Sequence, residues 1–239
     1  TVFPYCQQVF VTHASNGITA NPLVRQAIQA AVGVDDIIGA VGPMARRNPS
    51  LTYPGSPYAS DAATPFYDRR DPERARALLR EAGYRGEKLV LQTNAAFSYM
   101  RDAILVLAQQ LREVGMTTEV QVVDWLTNST NLRRGTGNWN VTTTGYCIQP
   151  LLGPQQWRPV FQRVTPIEAR AKLDAAYDTY FASADLTQRQ AVWRGIETGM
   201  LEQGYLTKVA DLGVVRGHAA RVQGLTAWFF PRFWNTWVN

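Results

Sequence analysis

Histidine and cysteine are nearly missing from this chain, and so is any long apolar run. The 239 residues include two histidines, His13 and His218, and two cysteines, Cys6 and Cys147. The histidines do not form a HExxH or HxH spacing, so the sequence offers no histidine-based zinc site and no metal is expected. Two cysteines are too few for a disulfide scaffold or a four-cysteine zinc site. No apolar stretch approaches the roughly 18–20 residues that span a bilayer. The opening, TVFPYCQQVFV, lacks a starting Met and a charged segment ahead of an apolar one, and reads as an excised or processed piece. Phosphate-cradling GxxxxGK and GxGxxG motifs are absent, and PGSPY is not a GxSxG nucleophile elbow. No cofactor is implied.

What is present is an ordinary globular composition with a slight basic excess. Hydrophobic residues make up 46% and charged residues 18%, and 24 Lys plus Arg against 19 Asp plus Glu leave a net charge of +5. That length suffices for a substantial core. The charge favours acidic surfaces without naming a partner.

Helix and strand signals alternate along the chain. NPLVRQAIQAAV begins with Asn21 as a cap and Pro22 at the first helical position, and Val24, Ala27, Ile28 and Ala31 recur on one face. The segment from Gly42 to Pro65 is rich in Pro, Gly and Ser, as expected of an ordered loop that crosses a surface or binds something. In YDRRDPERARALLREAGYRGE, Asp71 and Pro72 start a helix, Ala75, Leu78, Leu79 and Ala82 form its stripe, and Gly83 stops it. KLVLQTN reads as a strand, MRDAILVLAQQLREV as a helix ending at Gly115, and TTEVQVV as a strand. Strand, helix and strand with short joints predict right-handed crossovers and a mostly parallel sheet flanked by helices. Two more helices are expected in PIEARAKLDAAYDTYFA and DLTQRQAVWRGIETGMLEQ, then a short strand in LTKVADLGVV.

Three functional classes compete. Asp124, directly after a strand, is a catalytic carboxylate or a turn cap, and capping is the commoner role. No nucleophile and base assemble around it, so an enzyme is not expected. A basic nucleic-acid-binding α/β domain is the main alternative. Arg46-Arg47, Arg69-Arg70 and Arg133-Arg134 are paired cations, with Trp139 and Tyr146 available for stacking. The pairs lie in separate loops, however, and the arginines of the 72–82 helix are interspersed with Glu73 and Glu81, which favours a solvated surface.

The order of motifs resembles one family. NPLVRQAI, YPGSPYAS, YDRRDPERARALLREAGY, the strand LVLQTN, a helix ending LREVGM, a strand ending VVDW, RRGTGNWNVTTTGY and the closing FWNTWV are similar, in sequence, to bacterial extracellular solute-binding proteins of oligopeptide, dipeptide and nickel ABC importers. The resemblance implies a periplasmic-binding-protein-like lobe over residues 1–239: the second lobe plus the C-terminal return, with most of the first lobe absent. It implies no enzyme and a periplasmic location. The implied partners are a small solute or peptide, an inner-membrane ABC permease and the missing first lobe of the same protein, with no nucleic acid.

Family ligand contacts carry over only where positions match. Tyr146 stands at the family's Trp and Gln149 at the Asp that pairs with a peptide's amino group, and Gln supplies no charge. No Arg follows LVLQTN, where Thr93, Asn94 and Ala95 stand. The resemblance therefore makes Tyr146, Gln149, Asn94 and Phe97 the candidate ligand-binding residues, with packing or loop-stabilising roles as the alternative for each. It also brings Cys6 and Cys147 near each other, as a disulfide or as two buried thiols. The aromatic tail, Trp228, Phe229, Phe230, Phe233, Trp234 and Trp237, either packs on the body or faces the missing lobe.

Overall fold

The computed structural model describes residues 2–147, 153–215, 217–226 and 232–239. Its centre is a six-stranded sheet in the order β2-β6-β1-β5-β3-β4. The strands are β1 (Val2–Thr12), β2 (Ala45–Arg46), β3 (Leu89–Asn94), β4 (Thr118–Val123), β5 (Val141–Tyr146) and β6 (Leu206–Val214). β3 pairs in parallel with β4 and β5, whereas β1 pairs antiparallel with β5 and β6, and β2 antiparallel with β6. The sheet is thus mixed rather than mostly parallel. The crossover through α4 (Ser98–Glu113) makes β3 and β4 parallel, as the alternation predicts. The long strands β1 and β6 come from opposite ends of the chain and close the sheet by a pairing that local pattern does not encode.

Helices cover both faces, which is why the parallel strand β3 is buried along its whole length. On one face α1 (Pro22–Ala31), α2 (Val34–Val41), α3 (Pro72–Glu81) and α4 enclose Phe10, Ile28, Leu78, Leu91, Ile104 and Leu107. The starts of α1 and α3 follow the sequence: the Asn21 side chain accepts from Leu23 N–H, the Asp71 side chain accepts from Arg74 N–H, and each helix opens on Pro. On the other face, α6 (Arg158–Val164), α7 (Ile167–Ala182) and α8 (Leu186–Glu202) pack Trp157, Phe161, Tyr177 and Trp193 against Val9 and Val11. Phe161 lies nearly parallel to Trp193, with centroids 6.1 Å apart.

The Pro-rich segment is held into the second face by buried polar groups. Glu197 accepts from Ser50 Oγ at 2.8 Å and Leu51 N–H at 2.6 Å, and Asp211 accepts from Asn48 Nδ2 at 2.8 Å. The tail strands β7 (Val222–Gln223) and β8 (Trp237–Val238) form a separate two-stranded ribbon. Trp228, Phe229 and Phe230 lie outside the described residues, and Phe233, Trp234 and Trp237 are exposed. No helix among the described residues is long and apolar enough to cross a membrane.

Candidate functional site

The parallel strands β3, β4 and β5 end on one edge of the sheet, at Asn94, Val123 and Tyr146. Asn94 is fully buried. Its Oδ1 accepts from Ala96 N–H at 3.1 Å and Phe97 N–H at 3.0 Å, closing the turn from β3 into α4. That turn sets Phe97 at the helix start, where its ring meets Trp125 edge-on with centroids 4.9 Å apart. Trp125 opens α5 (Trp125–Arg134), immediately after β4. Asp124 caps this helix, accepting from Thr127 N–H at 2.9 Å and from Thr127 Oγ1 at 2.5 Å. The two bonds from Thr127 hold its carboxyl below the usual carboxylate range. Of the two roles open to Asp124, the structure shows the cap.

Phe97 and Trp125 stand with Tyr5, Tyr99, Met100 and Leu212 around a cavity of about 530 Å³. Among the described residues, none that lines it carries a formal charge. Burial pushes the Tyr99 phenol up to about 12, so it remains a neutral hydroxyl at physiological pH. Gly145 makes room for it: a Cβ there would stand 2.9 Å from the Tyr99 hydroxyl oxygen. Cys6 and Cys147, paired as a disulfide in the structure, also line the cavity and tie β1 to the end of β5.

The residues expected from sequence separate. Phe97 lines the cavity. Asn94 lies beneath it and shapes the turn. Tyr146 is not among the lining residues: Gly145 and Cys147 are, and the alternation of a strand turns the intervening side chain to the other face. There the ring meets Trp157 edge-on at 5.3 Å, and burial raises its phenol well above the ordinary range. Gln149 lies outside the described residues. Tyr5, Tyr99 and Trp125 were not singled out by sequence. The available signal was position, since Trp125 follows a parallel strand just as Phe97 does, and open α/β sheets bind ligands at the carboxyl ends of such strands.

The paired arginines do not assemble a nucleic-acid surface. Arg47 bonds to Asp35 and Asp68, and Arg70 pairs with Asp36 at 3.2 Å, so two of the three pairs are partly neutralised by acids beside them. The histidines stabilise loops: His13 accepts from Ser15 N–H at Nδ1 and contacts the Gly135 carbonyl through Nε2 at 3.3 Å.

The described residues thus combine a mixed α/β sheet, helices on both faces and an uncharged aromatic cavity at the strand ends, where open α/β sheets commonly bind ligands. The model of the bacterial extracellular solute-binding proteins, family 5, matches residues 4–163, and the chain belongs to that family. The glutathione-binding protein GsiB of Pectobacterium atrosepticum is 25% identical over 197 residues, 73% of this chain and 36% of that protein. Among solved structures, the dipeptide-binding protein of Pseudoalteromonas sp. SM9913 in complex with Met-Leu superimposes with a TM-score of 0.81 at 19% identity, covering 98% of this chain and 48% of that one. The ABC transporter substrate-binding protein CtaP of Listeria monocytogenes gives a TM-score of 0.77 at 18% identity, over 87% of this chain and 44% of that one. The chain thus spans less than half the length of these relatives.

Proposed function

We propose that this chain supplies one lobe of a periplasmic solute-binding receptor, which captures a peptide or other small organic solute and delivers it to an inner-membrane ABC permease. The observation that carries this reading is the aromatic, uncharged cavity at the carboxyl ends of the parallel strands, in a chain of family 5. A first lobe closes over that face, and contacts on both sides of the cleft shift the population toward the closed form. The protein is a carrier and not a catalyst. The Cys6–Cys147 bridge forms in the oxidising periplasm and braces the cavity wall.

The cavity also bears on the solute. The described residues around it offer π faces and a neutral hydroxyl, from Phe97, Trp125 and Tyr99, and no charge to match an ammonium or a carboxylate. It therefore holds an uncharged part of the solute, such as an apolar or aromatic side chain or the body of a blocked peptide. Calorimetric titration of the two-lobed protein with free tripeptides and their N-acetylated, C-amidated forms tests this. Blocking the termini is expected to change Kd by less than about threefold. A weakening beyond about 30-fold, the mark of a lost buried charge pair, would overturn the reading.

A further inference from the structure

At the opposite edge of the sheet, the end of β1, the last turns of α5 and α6 and the start of α7 surround a second cavity of about 500 Å³. Its walls carry Arg133, Arg134, Arg163 and Arg170, and among the described residues no Asp or Glu lines it. Some arginines elsewhere are paired with acids, as Arg47 is with Asp35 and Asp68, and Arg158 with Asp174 and Asp178. Here Arg134 and Arg163 form no ion pair among the described residues. Arg170 is oriented by its Nε–H, which donates to the Thr165 carbonyl at 3.0 Å.

Part of this basic character has a local explanation. Arg133 and Arg134 occupy the last turn of α5, where cations complement the helix dipole, and Arg133 donates to the Ser129 carbonyl at 3.3 Å. That does not account for Arg163 and Arg170 reaching the same cavity from two other helices. The start of α7 adds a further donor surface. Pro166 and Ile167 line the cavity, and Pro166 at the cap position has no side-chain acceptor for the free N–H groups of the first turn. Glu168, in that first turn, is not among the lining residues.

We propose that this cavity binds a phosphate-bearing anion. Guanidinium groups on converging helices and an uncapped helix start supply donors and positive charge from different directions, which suits the distributed charge of a phosphate or diphosphate group. The site is distinct from the aromatic cavity and shares no lining residue with it. A free phosphate compound and the phosphate of an anionic lipid headgroup share this chemistry, and the two sources separate experimentally.

The test is calorimetric titration of the chain with inorganic pyrophosphate at about 0.15 M salt, where exposed charges are largely screened. Saturable 1:1 binding is expected. Arg134→Gln with Arg163→Gln should weaken it by at least about tenfold, the loss of a charge-assisted contact. Both arginines are exposed and form no ion pair among the described residues, so the double variant should keep the parent's melting temperature. In a second arm, the chain is floated with phosphatidylglycerol or phosphatidylcholine vesicles. Retention on phosphatidylglycerol alone, competed by pyrophosphate, assigns the lipid headgroup, and no retention assigns a free phosphate compound. The proposal is overturned if neither probe binds, or if pyrophosphate binds equally well to the arginine variant.

Discussion

Replacing Lys208 with Met removes a cation from one of the most enclosed positions in the protein. Lys208 and Asp211 are each 1% exposed, and Nζ donates to Asp211 Oδ1 at 2.6 Å and to the Ala210 carbonyl at 3.2 Å. Asp211 has one further side-chain donor, Asn48 at 2.8 Å. Burial pulls the Lys208 pKa down, and the charges of Asp211 and Glu197 pull it back up. The ammonium thus serves two carboxyl groups in one buried layer between the Pro-rich segment and the sheet. Met fills the volume but leaves Asp211 uncompensated, at a cost of about 3–5 kcal/mol. For a chain of this size, that lowers Tm by roughly 6–20 °C. Urea melts of Lys208→Met, Asp211→Asn and the double variant form the cycle that isolates the pair. The double variant should be more stable than Lys208→Met alone, because the orphaned charge is gone. A loss below about 1 kcal/mol for Lys208→Met, or strict additivity, would refute the reasoning.

Three further outcomes follow from the same structure. Burial holds the Glu197 carboxyl above its ordinary value of 4.5. A raised folded-state value means that the associated stability is complete below 4.5 and is lost as pH rises through the folded value. The stability of the parent relative to Glu197→Gln should therefore increase between pH 7 and pH 5, and parallel stability curves would exclude the effect. Gly204 has φ +65, and a Cβ there would stand 2.8 Å from the Arg25 Cβ and 2.9 Å from the Arg25 carbonyl carbon. Arg25 is held by the carbonyls of Thr19, Ala20 and Gln203, so Gly204→Ala should cost about 2–4 kcal/mol in a denaturant melt. The Cys6–Cys147 bridge spans 141 residues, and its loss in Cys6→Ser with Cys147→Ser should cost up to about 5 kcal/mol. Intact-mass measurement should show a gain of two protons on reduction, and an unchanged mass would show that the bridge is absent.

Elements with strong local signals were legible in the sequence. Helices α1 and α3 have a capping side chain, a Pro at the first position and an apolar stripe, and each lies where those signals put it. Helix α5 has no such stripe. It buries Asn128 and Leu132, and Asn128 is held by polar contacts to Gln92 and Thr142, so only its Asp124 cap showed beforehand. The antiparallel half of the sheet was hidden because β1 and β6 are far apart in sequence and pair by tertiary assembly. At the cavity, Phe97 was a candidate through the family resemblance. Tyr146 needed the strand's facing, which a one-residue shift reverses. Tyr5 and Tyr99 needed the packing of β1 and α4 together, which no single segment carries.

The central claim is that the edge bearing Phe97, Tyr99 and Trp125 forms one wall of the solute cleft. Oxidative footprinting of the two-lobed protein, with and without a tripeptide selected by titration, tests it directly. Bound peptide should protect Phe97, Tyr99 and Trp125 and leave His13 and Trp139, at the opposite edge, unchanged. Protection confined to the opposite edge, or a bound peptide that leaves all three aromatic residues as reactive as before, would contradict the account.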